Sequence, residues 1–388
     1  MKKRLPTIVV NRNTPGIFET FSPLGNVRML ETHGFTPASV QDADILIVRS
    51  ETIVDRNLLE GSSVRFVGTV TIGTDHIDVE YLRSRGVEFV SAPGSNANSV
   101  AEYTAAALLV WSQSTGQSLK GKGLGIVGVG NVGSRVAAVA RSLGMVPVLN
   151  DPPLARKTGD KSYRRLEDLM GSDIITLHVP LSKEGSDATW HLFDGKRLDA
   201  MNRGSVLVNT ARGAVVDGQA LLERLESGHL GSAILDVWEN EPDISMTLLD
   251  RALIGTPHIS GYSLDGKLNA LRAVYHEVCR FLDAPAQDST YAGNVPNERS
   301  ITVTEEVTSE AAVVREAVRQ AYNIEHDDAA LRKVKDVPEW NRPTYFAGLR
   351  SSYRIRREFM HQTVELLPGQ SSAAETLRNL GFRVIKSH

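Results

Sequence analysis

The stretch from Gly123 to Leu143 constrains the fold more than any other part of the chain. Three glycines, Gly128, Gly130 and Gly133, stand in the spacing G-x-G-x-x-G. They lie between an apolar run, Gly123 to Val129, that reads as a strand, and a helical pattern, Asn131 to Leu143, that stops at Gly144. Strand, glycine turn and helix in that order open a dinucleotide-binding βαβ unit. The first glycine permits a tight turn, the second lets the backbone approach a pyrophosphate, and the third lets the helix pack close to the strand. The helix N-terminus near Asn131 and Val132 offers N–H groups and partial positive charge to the phosphates. Eighteen residues after Gly133, past a strand at Val146 to Asn150, stands Asp151. A carboxylate there accepts hydrogen bonds from ribose hydroxyls and repels a 2′-phosphate, which favours NAD over NADP. Arg156 keeps NADP as the alternative, and a turn aspartate before Pro152-Pro153 is the purely local reading.

The rest of the chain supplies the sheets. Thr7 to Val10, Ala43 to Val48, Val64 to Val70 and Val87 to Val90 read as short apolar strands separated by helical pieces. That pattern suggests a parallel sheet covered on both faces. Ala92-Pro93-Gly94 breaks it as a hinge does. A helix follows, with Ser99 as its expected cap and Glu102 three residues on, close to a capping box. Its interior, Ala105 to Trp111, is apolar nearly all round and is expected to be buried. Beyond the glycine turn, Ile174 to His178, Ser205 to Asn209 and Ser232 to Asp236 are further strands of a second sheet. The expectation is α/β: two doubly wound, Rossmann-like parallel-sheet domains. From about Tyr291 a small α+β unit follows, with strands at Ile301 to Val307, His361 to Leu367 and Phe382 to Ile385. Its helices are expected at Ser309 to Tyr322 and from Ser372 with Glu375 to Gly381.

Composition sets limits on partners. The 388 residues are 41% hydrophobic and 23% charged, with a net charge of −3. Such a balance is that of an ordinary soluble protein and favours neither nucleic acid nor an anionic membrane as partner. The single cysteine, Cys279, precludes an internal disulfide and a Cys-rich metal site, and no metal is expected. The basic start MKKRLPTIVV loses its apolar run at Asn11-Arg12-Asn13, too early for a signal peptide. The expected location is cytoplasmic.

Three polar residues stand on short signatures downstream of the glycine turn: Arg212 in NTARG, Glu241 in DVWENEP and His258 in TPHISGY. Oxidising a secondary alcohol beside a carboxylate needs a base for the hydroxyl proton, a grip on the carboxylate and a hydride acceptor. His258 suits the base, since an unperturbed imidazole titrates near neutrality. Glu241 can hydrogen-bond the other ring nitrogen and stabilise the imidazolium. Arg212 can hold the carboxylate and polarise the incipient carbonyl. Each has a bland alternative: a surface arginine on a turn, a helix-start carboxylate, a loop histidine. Their joint presence after strands of the second sheet favours the catalytic reading.

GVGNVG, NTARGAVVD, LDVWENEP and TPHISGYS, in this order, resemble the D-2-hydroxyacid dehydrogenase family over roughly residues 45 to 290. The resemblance implies that Arg212, Glu241 and His258 are the catalytic set, with histidine as acid/base. It also implies a discontinuous substrate domain, 1–99 with 266–290, around an NAD-binding domain, 100–265. Further motifs resemble one branch of the family whose substrate is a phosphorylated 2-hydroxy acid: VRSETIV at Val48, FVGTVTIGTDHID at Phe66, SAPGSNANSVAEY at Ser91, NDPP at Asn150 and GYSLDGK at Gly261. The tail, DDAALRKV at Asp327 and SSYRIRRE at Ser351, resembles that branch's C-terminal dimerisation domain, here 291–388, and implies a homodimer. On this resemblance the substrate touches Ser50, Thr71 and Tyr262, and NAD touches Asn131, Val132, Asp151, Val179, Asp236 and Gly261.

The chain departs from the branch at Asn11-Arg12-Asn13, where an acidic segment is usual, at Val179 in place of threonine, and at Ser95 in place of cysteine. Arg350, Arg354 and Arg357, with Arg356 adjacent, have helical spacing. They read either as a solvated or dimer-facing charged face, or as holding one group that reaches a substrate phosphate. Two alternatives remain beside a phosphorylated hydroxy acid of this branch: 3-phosphoglycerate or glycerate as substrate, and an NADH-sensing corepressor-like protein that catalyses nothing.

Overall fold

The computed structural model describes residues 4–287 and 299–386. The chain forms two units, Met1–Asn96 with Ser263–Asn297, and Ala97–Tyr262 with Glu298–His388. The boundary expected near Tyr291 lies outside the described residues.

The first unit is built on a five-stranded parallel sheet: β1 (Thr7–Asn11), β2 (Asn26–Leu30), β3 (Ile45–Val48), β4 (Phe66–Thr69) and β5 (Glu88–Val90), in the order β2-β1-β3-β4-β5. The runs in β3 and β4 are buried throughout, because helices cover both faces. One face packs on Leu58, Leu59, Tyr81 and Leu82 of the short helices Arg56–Leu59 and Val79–Ser84. The other packs on Phe21 and on Leu271, Val274 and Val278 of the helix Leu264–Leu282. A Cβ at Gly68 would lie 2.6 Å from the Val274 side chain, so only glycine lets that helix sit so close to β4. Strand β2 was not among the expected elements. It is a sheet edge with mixed exposure, and Asn-Val-Arg-Met-Leu carries little apolar signal.

The second unit holds a six-stranded parallel sheet: β6 (Gly123–Val127), β7 (Val146–Asn150), β8 (Ile174–Leu177), β9 (Val206–Asn209), β10 (Ser232–Leu235) and β11 (Ile254–Gly255). Its order, β11-β10-β9-β8-β6-β7, reverses direction between β6 and β8, the switch point at which open α/β sheets bind ligands. The helices Ala97–Thr115 and Asn131–Ser142 bury one face with Tyr103, Leu108, Val136 and Ala140. Leu198, Leu221 and Leu248 from three further helices bury the other.

The C-terminal segment adds a three-stranded parallel sheet, β12 (Arg299–Thr302), β13 (Gln362–Leu366) and β14 (Arg383–Lys386), in that order. The strand expected to reach Val307 stops at Thr302. Val313, Ala317, Val318, Phe359 and Leu377 join the same apolar core as Tyr103 and Val136, so this segment is packed into the second unit.

Two local expectations are overturned here. Ser99 and Glu102 do not cap the helix; they lie inside Ala97–Thr115 and are buried. The Ser99 hydroxyl donates to Glu358 Oε1 at 2.8 Å, and Glu102 Oε1 accepts the Phe359 N–H at 2.6 Å. Polar residues that looked like a helix start are the socket for the C-terminal segment. The helical spacing of the arginines also fails, because the helix Arg342–Ser351 ends before Arg354 and Arg357. Among the described residues, no helix is long and apolar enough to cross a membrane.

Candidate active site

The glycine turn joins β6 to the twelve-residue helix Asn131–Ser142, and each glycine has its own reason. Gly128 has φ 86° and a Cβ there would meet the His178 carbonyl oxygen at 2.7 Å. A Cβ on Gly133 would lie 2.0 Å from the Gly128 carbonyl oxygen, so the helix can approach the strand only without one. Gly130 has nothing within 4 Å and opens onto free space in front of the helix N-terminus, formed by Asn131 and Val132. That space, with amides aimed into it, fits a dinucleotide pyrophosphate.

Asp151 follows β7. Its Oδ2 accepts the Val129 N–H at 2.8 Å and its Oδ1 accepts the Leu154 N–H at 2.9 Å. It therefore ties the glycine turn to the tip of β7 and caps the helix Pro152–Thr158. A carboxylate has about four acceptor positions, so ribose hydroxyls can still be bound. Arg156, the residue that kept NADP in view, is ion-paired with Asp187. Val179 packs against Gly128, which a hydrophobic wall does as well as a threonine. Its neighbour His178 is half-buried, with its ring nitrogens 3.0 and 3.2 Å from the Thr176 and Thr210 hydroxyls, and desolvation pulls its pKa down to about 3, leaving the ring neutral.

Replacing Gly133 by alanine is expected to weaken NAD binding about tenfold or more, since overpacking of this kind costs about 1–3 kcal/mol. Fluorescence titration with NAD, beside a thermal melt, checks this; an unchanged dissociation constant would remove the role given to the close approach.

Arg212, Glu241 and His258 follow β9, β10 and β11, three adjacent strands, so all three emerge at the same edge of the sheet. The turn carrying Arg212 is shaped by buried Asn209, whose Oδ1 accepts the Ala211 N–H at 3.0 Å and whose Nδ2 donates to the Arg212 carbonyl at 2.9 Å. A Cβ on Gly213 would fall 2.0 Å from the Trp238 carbonyl, so this turn lies directly on the loop that leads to Glu241.

Glu241 and His258 form a pair: Glu241 Oε2 is 2.8 Å from His258 Nδ1. Glu241 Oε1 accepts the Trp238 N–H at 2.7 Å. Burial would push the Glu241 carboxyl up, but the charge and N–H of His258, the Trp238 amide and the charge of Arg350 hold it below the usual carboxylate range. With an ionised carboxylate on Nδ1, the remaining nitrogen, Nε2, is the one that can exchange a proton. The histidine side chain is 32% exposed and the glutamate 18%, so the ring is the member of the pair that a small molecule reaches.

His258 has φ 56°, a left-handed conformation that costs a non-glycine residue free energy and that the surroundings must impose. Asp236, at the end of β10 and fully buried, imposes it. Its backbone carbonyl accepts the His258 N–H at 2.7 Å. Its carboxylate accepts the Ile259 and Ser260 N–H groups at 2.8 and 2.9 Å and the Thr256 hydroxyl at 2.7 Å. The family resemblance implies a cofactor contact for Asp236; its side chain is engaged by the histidine loop. The roles of Asn209, Trp238 and Thr256 were not foreseen. They sit inside or beside the quoted motifs, and only backbone geometry tells which motif residues shape the loop.

Past Gly261, the Tyr262 hydroxyl accepts from Arg350 Nη2 at 3.3 Å, and its ring meets Tyr353 edge-on at 5.8 Å. Ser50 and Thr71 belong to the first unit, at the ends of the neighbouring strands β3 and β4. The Thr71 hydroxyl lies 2.7 Å from that of Thr69. Arg49 donates to the Asn13 carbonyl at 2.9 Å, which ties the unusual Asn11-Arg12-Asn13 segment to the Ser50 strand end.

Known proteins match this arrangement. Residues 98–260 fit the profile of the D-isomer specific 2-hydroxyacid dehydrogenase NAD-binding domain, and residues 294–381 that of a domain of unknown function (DUF3410). An erythronate-4-phosphate dehydrogenase of Chromohalobacter salexigens is 42% identical, over 97% of this chain and 98% of its own. One from Cronobacter sakazakii is 42% identical, over 97% of each chain. The solved NAD-dependent formate dehydrogenase of Staphylococcus aureus, in complex with NAD, superposes with a TM-score of 0.60 at 27% identity, covering 73% of this chain and 97% of its own. With the glycine turn, the glutamate–histidine pair and near full-length identity above two fifths, the chain belongs to the erythronate-4-phosphate dehydrogenase family, a branch of the D-isomer specific 2-hydroxyacid dehydrogenases.

Proposed function

We propose that this chain oxidises 4-phospho-D-erythronate to (R)-3-hydroxy-2-oxo-4-phosphooxybutanoate with NAD, a step toward pyridoxal 5′-phosphate. The observation that carries the chemistry is the Glu241–His258 contact at 2.8 Å on adjacent strand ends, beside the turn that presents Arg212. The naming of the substrate rests on the 42% identical relatives and on the C-terminal segment they share over nearly the full length.

Arg212 takes the substrate carboxylate and orients C2. His258 Nε2 removes the proton of the C2 hydroxyl, and the O–H bonding pair becomes the second bond of the carbonyl. The C2–H bond breaks with its electron pair, and NAD, when bound, supplies the acceptor for that hydride. Glu241 carries the negative charge that stabilises the imidazolium and fixes the ring's tautomer. Gly128, Gly130, Asn131, Val132 and Gly133 are assigned to the pyrophosphate, and Asp151 to the ribose. Val179, Asp236 and Gly261 are assigned to NAD as well. Ser50, Thr71 and Tyr262 are assigned to the substrate.

The chain is further proposed to act as a cytoplasmic homodimer. The C-terminal segment supports the dimer by exposing Trp340, Ile355 and Met360 at 81%, 67% and 49%. Such apolar surface is what a protein interface covers. The single cysteine, buried and unpaired, accords with a reducing compartment.

The test is a panel of acids with purified protein and NAD, following NADH absorbance. Turnover of 4-phospho-D-erythronate well above that of 3-phosphoglycerate, glycerate and lactate is expected. Activity on 3-phosphoglycerate with none on 4-phosphoerythronate would overturn the assignment.

A further inference from the structure

A substrate that carries both a carboxylate and a phosphate presents two anions to a site that already holds the ionised carboxylate of Glu241. Arg212 answers one of them. The second needs another cation, and in the second unit the C-terminal segment brings one to the site. The last turn of the helix Arg342–Ser351 carries Arg350, whose Nη2 donates to the Tyr262 hydroxyl at 3.3 Å and whose guanidinium carbon stands 5.9 Å from that ring's centre. Tyr262 lies four residues past His258 in the same loop. We propose that Arg350 binds the phosphate of the substrate, and so sets the preference for a phosphorylated acid. This rests on the reading of the chain as a dehydrogenase of phosphorylated 2-hydroxy acids.

Two observations set Arg354 and Arg356 aside among the arginines of the tail. Arg354 is ion-paired with Asp327, a carboxylate that also accepts the Tyr353 hydroxyl at 2.9 Å. Arg356 is 4% exposed and donates to Glu102 and to the Tyr262 carbonyl, which leaves no face for a ligand. Arg350, by contrast, meets the histidine loop through the Tyr262 side chain, the part of that residue assigned to substrate. Its charge is also felt at Glu241, where it helps keep the carboxyl ionised, so it lies within electrostatic reach of the reacting pair. An arginine fork suits a phosphate, which accepts two parallel N–H bonds.

The solved dehydrogenase from Staphylococcus aureus is matched over 97% of its own length yet covers only 73% of this chain. The C-terminal domain that carries Arg350 is matched by a separate profile. A common catalytic core with an added domain is what one expects if the core changes the bond and the addition selects the molecule.

The experiment compares Arg350→Ala and Arg350→Lys with the unaltered protein on 4-phospho-D-erythronate and on D-erythronate, with NAD saturating. The ratio of kcat/KM for the two acids is the readout. Hydrogen bonds to charged groups predict that Arg350→Ala lowers that ratio on the order of 10- to 100-fold, mostly through KM. Arg350→Lys, which keeps the charge without the fork, should restore part of it. Inorganic phosphate should also inhibit the unaltered protein competitively and Arg350→Ala far less. An equal loss on both acids would overturn the proposal and make Arg350 a support for Tyr262 and Glu241. An unchanged ratio would overturn it too. If the unaltered protein ignores 4-phosphoerythronate, the substrate reading fails by itself. Arg350 is then judged by the same ratio on whichever phosphorylated acid, with its unphosphorylated partner, the protein oxidises.

Discussion

Replacing His258 by alanine is expected to lower kcat by about 10²- to 10⁴-fold, the usual worth of a positioned general base. The dissociation constant for NAD should stay within a few fold. The two effects separate because His258 stands on the loop after β11, whereas the glycine turn follows β6 at the other side of the switch point. The loop should survive the change, since its conformation is imposed by Asp236 through the Ile259 and Ser260 amides, not by the imidazole. Steady-state turnover with NAD titration checks both halves. A variant with near-normal turnover would end the acid/base role. Loss of NAD binding equal to the loss of rate would show that the loop had collapsed.

The second large effect is on stability. Arg356, Glu102 and Glu358 are all nearly inaccessible, at 4%, 6% and 1% exposure. They join the long helix Ala97–Thr115 to the C-terminal segment. Arg356 Nη1 donates to Glu102 Oε2 at 2.5 Å and its Nη2 to the Ser99 carbonyl at 3.4 Å, while its guanidinium lies 4.3 Å over the Tyr322 ring. Arg356→Ala removes the cation to which Glu102 is bonded and leaves two buried carboxyls together. A loss of about 1–3 kcal/mol of unfolding free energy is expected, the usual cost of leaving a buried polar group without its hydrogen-bond partner. Urea denaturation measures it, and a loss below about 1 kcal/mol would show that water or a shift of the segment takes the place of the guanidinium.

The same cluster sets a pH dependence. Burial pushes the Glu102 carboxyl from its ordinary 4.5 up to about 8, with Arg356 opposing and the Glu358 charge assisting. The folded protein therefore keeps a proton there that the unfolded chain releases. The contribution is full below about 4.5 and is lost as pH rises toward 8, so unfolding free energy should fall across that window. Denaturation midpoints taken through it check the sign; a rise would mean that Glu102 is ionised in the folded state.

Much of this was legible in the residues themselves. The α/β class, the two parallel sheets and the glycine turn follow from runs of four to five apolar residues, and from three glycines whose spacing has a steric reason at each position. The pairing of Glu241 with His258 was also foreseen, because the chemistry needs a carboxylate on the second ring nitrogen. Less was legible where a residue's surroundings come from distant chain. Ser99 and Glu102 have the spacing of a capping box, yet both are covered by residues more than 250 positions away, and burial by a distant segment overrides a local cap preference. The edge strand Asn26–Leu30 was missed because a strand exposed on one side has no apolar run to show.

The site itself divides along the same line. The residue types proposed to oxidise a hydroxy acid, and their order along the chain, are local properties, so Arg212, Glu241, His258 and the candidate cofactor turn stand out in the sequence by itself. Which arginine of the tail stands beside the Tyr262 hydroxyl is not local. Arg350, Arg354, Arg356 and Arg357 are equivalent in the sequence, and helical spacing would place three of them on one face. The helix stops at Ser351, and packing of the following segment onto Ala97–Thr115 sends Arg354 to Asp327 and Arg356 to Glu102. Only the tertiary structure decided that Arg350 meets that hydroxyl, 88 residues earlier in the chain, because contacts across that separation are set by how the core closes and not by any pattern along the backbone.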